Sequence, residues 1–95
     1  MDGRNVDREV ATRLGINLWL ARRRAGYSQE ALGALCGLHR TEIGYVEKGK
    51  RLPRVDTLIK LAGALGIAVQ TLVTGIEWIP PGPSEGGTFA VRRAA

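Results

Sequence analysis

The chain of 95 residues is long enough for one domain with one small core. Hydrophobic residues make up 44% of it and aromatic residues only 5%, so the core must be built from aliphatic side chains. A single cysteine, Cys36, and a single histidine, His39, exclude an internal disulfide framework and a structural zinc site. The longest apolar stretch, residues 61–69, is about half of the roughly 20 residues that a bilayer span needs. The composition therefore predicts a cytoplasmic protein with no membrane partner, no metal and no cofactor.

The positive charge is concentrated in the middle of the chain. Lys and Arg number 14 against 9 Asp and Glu, which gives a net charge of +5. Residues 21–54 hold eight of the basic side chains and three of the acidic ones, whereas the flanking segments are balanced. Eleven of the basic residues are arginines, whose guanidinium groups form forked hydrogen bonds with phosphate. Such a local excess is typical of a nucleic-acid-binding surface, and equally of a solvated basic surface.

Five helices are predicted in the first three quarters of the chain. Apolar residues recur there at helical spacing, and Gly and Pro residues divide them into short segments. The predicted helices cover residues 10–25, 29–36, 39–48, 54–65 and 69–73. Ser28 is a good N-cap for the second helix, Gly37 ends it, and Leu32 and Leu35 are expected to face inward. Residues 1–9 are then a flexible N-terminus and residues 10–75 one all-α domain.

Residues 76–95 form a tail in which proline and glycine exclude a helix. For the β-prone residues 88–91 the sequence favours a frayed end, and an edge strand is the alternative. Four apolar side chains of the tail have no place in a five-helix core, namely Trp78, Ile79, Phe89 and Val91. We expect them either to cover the open edge of the core or to pair across a dimer as an intermolecular strand.

Residues 29–48 have the pattern of a helix-turn-helix. Gly33 is the small residue that the first helix needs where the second crosses it closely, and Gly37 tolerates the left-handed backbone of the turn. Ile43 and Val46 are three residues apart, so they lie on one side of the second helix and can both be buried. Together these constraints predict a helix-turn-helix, although an ordinary helical hairpin could meet them by chance.

This motif and its surroundings resemble the helix-turn-helix domain of the Cro/phage-repressor (XRE) family. The resemblance covers residues 14–75, and its most distinctive part is the run Glu-Lys-Gly-Lys-Arg-Leu-Pro at residues 47–53. It implies a compact five-helix lambda-repressor-like domain that binds operator DNA as a two-fold dimer. Members usually act as transcriptional repressors and less often as activators.

The N-terminal part of the second helix of such a motif enters the major groove and reads base edges. The outward face of this helix carries Arg40, Thr41 and Tyr45. Arg40 can hydrogen-bond to O6 and N7 of guanine, and Thr41 can contact a base edge or a thymine methyl group. Gly44 is small and is expected to let the backbone approach DNA closely. These four residues are the predicted base-reading set.

Phosphate contacts are expected around the recognition helix. The resemblance implies that Gln29 contacts phosphate and braces this helix, and the N-terminus of the preceding helix at Ser28 favours an anion. The other predicted phosphate contacts are His39, Lys48, Lys50 and Arg51. His39 stands where the family prefers Ser or Thr, so its alternative role is that of a weak helix cap.

The resemblance also implies a structural ion pair between Arg22 and Glu47, which would join the first helix to the end of the third. These two residues would then support the recognition helix without reading DNA. Arg54 and Ala68 stand where the family has polar caps for the fourth and fifth helices, which weakens both helix starts.

The leading prediction is a homodimeric regulator that binds an inverted repeat in double-stranded DNA. The alternative is the antitoxin of a toxin–antitoxin pair, which would bind a protein partner through its tail and repress its own operon. An enzyme is not expected, because one His, one Cys and scattered carboxylates supply no nucleophile–base set. RNA binding is disfavoured, because no aromatic stacking platform accompanies the basic residues.

Overall fold

The computed structural model describes residues 3–84 and 86–92, with side chains from Arg8 onward. Within these residues the chain forms five helices followed by two short strands. They are α1 (Gly3–Ala25), α2 (Gln29–Cys36), α3 (Arg40–Glu47), α4 (Val55–Leu65), α5 (Val69–Leu72), β1 (Ile76–Ile79) and β2 (Thr88–Val91). The predicted five-helix domain is confirmed, and the limits of α2 to α5 agree with the prediction to within one residue at each end.

The first helix is longer than predicted. It begins at Gly3 instead of near residue 10, so the described part of the predicted flexible N-terminus belongs to α1. Residues 4–9 contain neither Gly nor Pro, and nothing in them stops a helix from extending toward the N-terminus. Residues 1 and 2 lie outside the described residues. Although α1 has 23 residues, none of the described helices is both long and apolar enough to cross a membrane.

Every helix contributes one fully buried side chain to a common core. These side chains are Leu18, Leu32, Ile43, Leu61 and Leu72. The prediction that Leu35 faces inward is wrong, because 57% of its surface is exposed. The inward position is taken by Cys36, which lies one full turn after Leu32 and therefore on the same side of α2.

The tail forms an antiparallel hairpin on the helical domain. In β1 and β2, Ile76 pairs with Val91 and Trp78 with Phe89. The frayed end that was preferred for residues 88–91 is therefore wrong and its alternative, the edge strand, is present, whereas β1 was not predicted. Because successive side chains of a strand alternate between its two faces, Ile79 lies on the face opposite to the other three tail residues.

Side chains of α1 hold the start of the hairpin in place. The buried amide of Asn17 donates hydrogen bonds to the main-chain oxygens of Leu72 and Thr74, at 3.0 and 2.9 Å. The guanidinium of Arg13 donates to the same Thr74 oxygen at 3.3 Å. Ile76 packs against the helical core, so the first residue of β1 is anchored there. The hairpin thus lies beside the N-terminal half of α1.

Candidate nucleic-acid interface

The turn between α2 and α3 has the geometry that the sequence predicts. The hydroxyl of Ser28 accepts a hydrogen bond from the main-chain nitrogen of Ala31 at 3.0 Å and caps α2. A Cβ added to Gly33 would overlap the main-chain oxygen of Leu38 in the turn, so only glycine fits there without a movement of the backbone. Gly37 ends α2 in the left-handed region with a φ of 69°. The two helices are therefore held at a fixed angle.

The recognition helix α3 buries one face and exposes the other. Ile43 and Val46 are buried in the core, as predicted. Arg40 and Thr41 are exposed at the start of the helix, and Tyr45 is 39% exposed one turn further on. Three of the predicted base-reading side chains are thus accessible on one surface.

Gly44 is the exception in the predicted base-reading set. It is buried, and a side chain at this position would point at the amide group of Gln29, 3.6 Å away. This distance is an ordinary van der Waals contact, so Gly44 faces Gln29 of α2 and does not lie on the exposed face of α3. This contact was missed because the sequence does not show which face of α3 meets α2.

A buried network joins α1, α2 and α3. The guanidinium of Arg22 donates from Nε and Nη2 to the two carboxylate oxygens of Glu47, at 2.5 and 3.0 Å. Its Nη1 donates to the main-chain oxygen of Tyr27 at 2.8 Å, and Gln29 Nε2 donates to Glu47 Oε1 at 3.1 Å. The two charged side chains are only 9% and 5% exposed. The ion pair that the resemblance implies is present, and it fixes the C-terminal end of α3.

His39 caps the recognition helix. Its Nδ1 accepts a hydrogen bond from the main-chain nitrogen of Thr41 at 3.1 Å. An imidazole that accepts at Nδ1 carries its hydrogen on Nε2, and this N–H remains free to donate to a second partner. Capping and a phosphate contact are therefore compatible roles for His39.

Exposed cations follow the recognition helix. Lys48, Lys50 and Arg51 are all exposed beyond the end of α3. Gly49 adopts a φ of 72°, and the main-chain nitrogen of Lys50 donates to the Tyr45 oxygen at 2.9 Å, so the loop turns back along the helix. The Arg51 guanidinium then lies over the Tyr45 ring, 5.4 Å from its centroid.

Cys36 lies in the core and away from this surface. Its thiol is 3.6 Å from the main-chain oxygen of Lys60, to which it donates a weak hydrogen bond. Burial raises the pKa of the Cys36 thiol, and the charge of Lys60 offsets this rise in part. The thiol therefore stays protonated near neutral pH, which makes it a poor nucleophile.

The chain is similar in sequence to known helix-turn-helix proteins. The helix-turn-helix family model HTH_3 matches residues 20–72. The control protein C.SmaI from Serratia marcescens is 51% identical over 47 residues, which are 50% of this chain and 56% of that protein. The HTH-type transcriptional regulator y4dJ from Sinorhizobium fredii is 38% identical over 69 residues, which are 73% of this chain and 90% of that protein.

Two solved structures have the same fold. The restriction-modification controller protein C.AhdI from Aeromonas hydrophila matches with a TM-score of 0.64 at 39% identity, over 65% of this chain and 90% of that chain. The P22 c2 repressor, solved in complex with a synthetic operator, matches with a TM-score of 0.62 at 26% identity, over 65% of this chain and 94% of that chain. The family consists of transcription regulators and not of enzymes. With more than half of its residues matched, the chain belongs to the helix-turn-helix family of Cro and phage-repressor (XRE) type and is a DNA-binding transcriptional regulator.

Proposed function

We propose that the chain is a repressor that acts as a homodimer on an inverted-repeat operator. The observation that carries the proposal is the exposed start of α3, where Arg40 and Thr41 stand on a helix fixed by the buried ion pair. One recognition helix spans only a half-site, so two copies would read half-sites about one helical turn apart, roughly 10 bp. The operator complex of the P22 c2 repressor supports repression as the mode of action.

The exposed residues around α3 take different roles in this proposal. Arg40 and Thr41 read base edges, and the Tyr45 hydroxyl reaches the groove from the next turn of the helix. Neutral donors to phosphate are the Ser28 hydroxyl, the second amide N–H of Gln29 and the free ring N–H of His39. Positively charged contacts to phosphate come from Lys48, Lys50 and Arg51.

The hairpin is the proposed contact surface for the second copy. Trp78 and Phe89 are 55% and 37% exposed and form an edge-to-face pair with centroids 5.1 Å apart. The only charged residues among 76–84 and 86–92 are Glu77 and Arg92, which pair at 3.1 Å. Two copies of a chain with a net charge of +5 repel each other least where the local charge is balanced. An apolar and electrically neutral face therefore favours contact between copies over contact with DNA.

Base reading is tested by selecting bound duplexes from random-sequence DNA at near-physiological salt. We expect wild-type protein to enrich an inverted repeat, and Arg40→Ala to lose the preference at one position of each half-site, by about 1–3 kcal/mol of discrimination. Lys50→Ala is the matched control, because it removes a cation of the same surface and should weaken binding to all sequences alike. Unchanged base preference in Arg40→Ala would assign the readout to other residues.

The dimer surface is tested by sedimentation of tryptophan variants. Trp78→Ala should weaken the dimer by about 30-fold, because truncating a central interface tryptophan costs about 2 kcal/mol or more. Trp19→Ala is the matched control, since Trp19 is 43% exposed on α1 and should leave the dimer intact. A dimer that survives Trp78→Ala would exclude the hairpin as its interface. A wild-type monomer with a folded hairpin would instead favour the antitoxin alternative, in which this face binds another protein.

A further inference from the structure

Arg23 lies next to the proposed DNA surface, at the C-terminal end of α1. It lines an open concavity of about 610 Å³ with side chains that the proposal places on phosphate or bases, among them Ser28, Gln29 and Arg40. The concavity is also lined by Glu30. Its charged side chains are therefore Arg23, Arg40 and Glu30, together with Arg22, whose charge is paired with that of Glu47. The charged side chains around the concavity are therefore positive in sum, which favours an anion there.

The Arg23 side chain is supported by an aromatic ring. Its guanidinium lies over the indole of Trp19, 5.3 Å from the ring centroid. The two residues are four apart on α1, a spacing that places one side chain above the other on the same side of a helix. Trp is the ring that attracts a cation most strongly in this geometry.

We propose that Arg23 binds a backbone phosphate of the DNA and that Trp19 is its positioning residue. The inference rests on the proposed placement of α3 in the major groove, and it extends the contact surface to the C-terminal end of α1. Trp19 itself touches no DNA in this arrangement. It acts by holding the guanidinium in place over its ring.

The physical advantage of the stack is a smaller entropic cost of binding. An arginine side chain carries about 2 kcal/mol of rotamer entropy, part of which is lost when it is fixed on a phosphate. A guanidinium that is already held over a ring has lost part of this freedom before DNA arrives. A cation–π contact uses the face of the guanidinium and leaves its N–H groups able to bind two phosphate oxygens at once. The same arrangement recurs where Arg51 lies on Tyr45, at the other end of the interface.

The test is a titration of a mixed-sequence 30-bp duplex at several salt concentrations, which needs no knowledge of the operator. Arg23→Ala should weaken binding about 3- to 10-fold and lower the slope of log affinity against log salt by about 1, as expected for one lost phosphate contact. Arg24→Ala is the matched control, because it removes the same charge from the neighbouring exposed position of α1. It should change affinity by less than 2-fold.

The role of Trp19 is tested with the same duplex. Trp19→Ala should weaken binding about 2- to 5-fold in the wild-type background and should have no further effect in the Arg23→Ala background. Equal losses in both backgrounds would show that Trp19 acts independently of Arg23 and would overturn the positioning role. Melting curves of all variants check that the helical domain remains folded.

The failures of the two proposals can be told apart. If wild-type protein does not bind the duplex, the proposed function fails. If it binds and Arg23→Ala has the wild-type salt slope, only the inference about Arg23 fails. A slope that falls as much in Arg24→Ala as in Arg23→Ala would also overturn it, because the effect would then be that of net charge.

Discussion

Glu47→Ala is expected to lower the free energy of unfolding by about 3–5 kcal/mol, the usual cost of removing one partner of a buried ion pair. The carboxylate of Glu47 is 5% exposed and accepts hydrogen bonds from Arg22 and Gln29. Its removal leaves the Arg22 guanidinium charged, largely buried and without a counterion. Since domains of this size are stable by about 5–15 kcal/mol, the variant should unfold at a much lower urea concentration.

Two controls separate the buried pair from a general effect of charge. Asp56→Ala changes the net charge in the same direction as Glu47→Ala but removes one side of an exposed pair with Arg54, in which the side chains are 58% and 85% exposed, and should cost no more than about 1 kcal/mol. The double variant Arg22→Met/Glu47→Leu replaces both charges with apolar groups and should be more stable than Glu47→Ala. If the double variant were less stable than Glu47→Ala, the cost would come from lost packing and not from an unpaired charge.

The helical part of the fold could be predicted because its signals are local. Ser28 and Gly37 mark the two ends of α2, and each acts through hydrogen bonds or backbone angles within four residues of its own position. The ion pair of Arg22 with Glu47 is a contact over a long sequence distance, and it was inferred only through the resemblance to a family. Each residue lies four positions after a buried one, Leu18 or Ile43, so spacing places each on a buried helix face but does not show that the two side chains meet.

The hairpin was only half predicted, because its stability comes from contacts distant in sequence. β1 has four residues, and its anchoring depends on hydrogen bonds from Asn17 and Arg13, about 60 positions earlier. No pattern within the tail indicates these contacts. Leu35 and Gly44 were misplaced for a related reason, since helical spacing defines a face but not the neighbour that the face meets.

Gly15 is a further residue whose structural role the sequence did not indicate. It lies inside α1, where glycine is unfavourable, and a Cβ added to it would overlap the main-chain oxygens of Val46 and Glu47 at the end of α3. Gly15→Ala should therefore push the recognition helix away from α1. We expect a net loss of about 2 kcal/mol of unfolding free energy, because overpacking against a helix backbone costs about 3 kcal/mol and the gain in helix propensity returns about 1 kcal/mol.

Gly63→Ala is the matched control, and it should change the free energy of unfolding in the opposite direction. Gly63 also lies inside a helix, but an added Cβ there meets no atom within 4 Å. The substitution should raise the free energy of unfolding by about 0.5–1 kcal/mol, through the lower backbone entropy of the unfolded chain. Urea unfolding of both variants separates helix propensity from close packing. Both substitutions improve helix propensity, but only the one at Gly15 introduces an overlap with a neighbouring helix. If Gly15→Ala were as stable as Gly63→Ala, α1 and α3 could move apart at little cost in free energy. In that case Gly15→Ala should bind DNA as well as the wild type does.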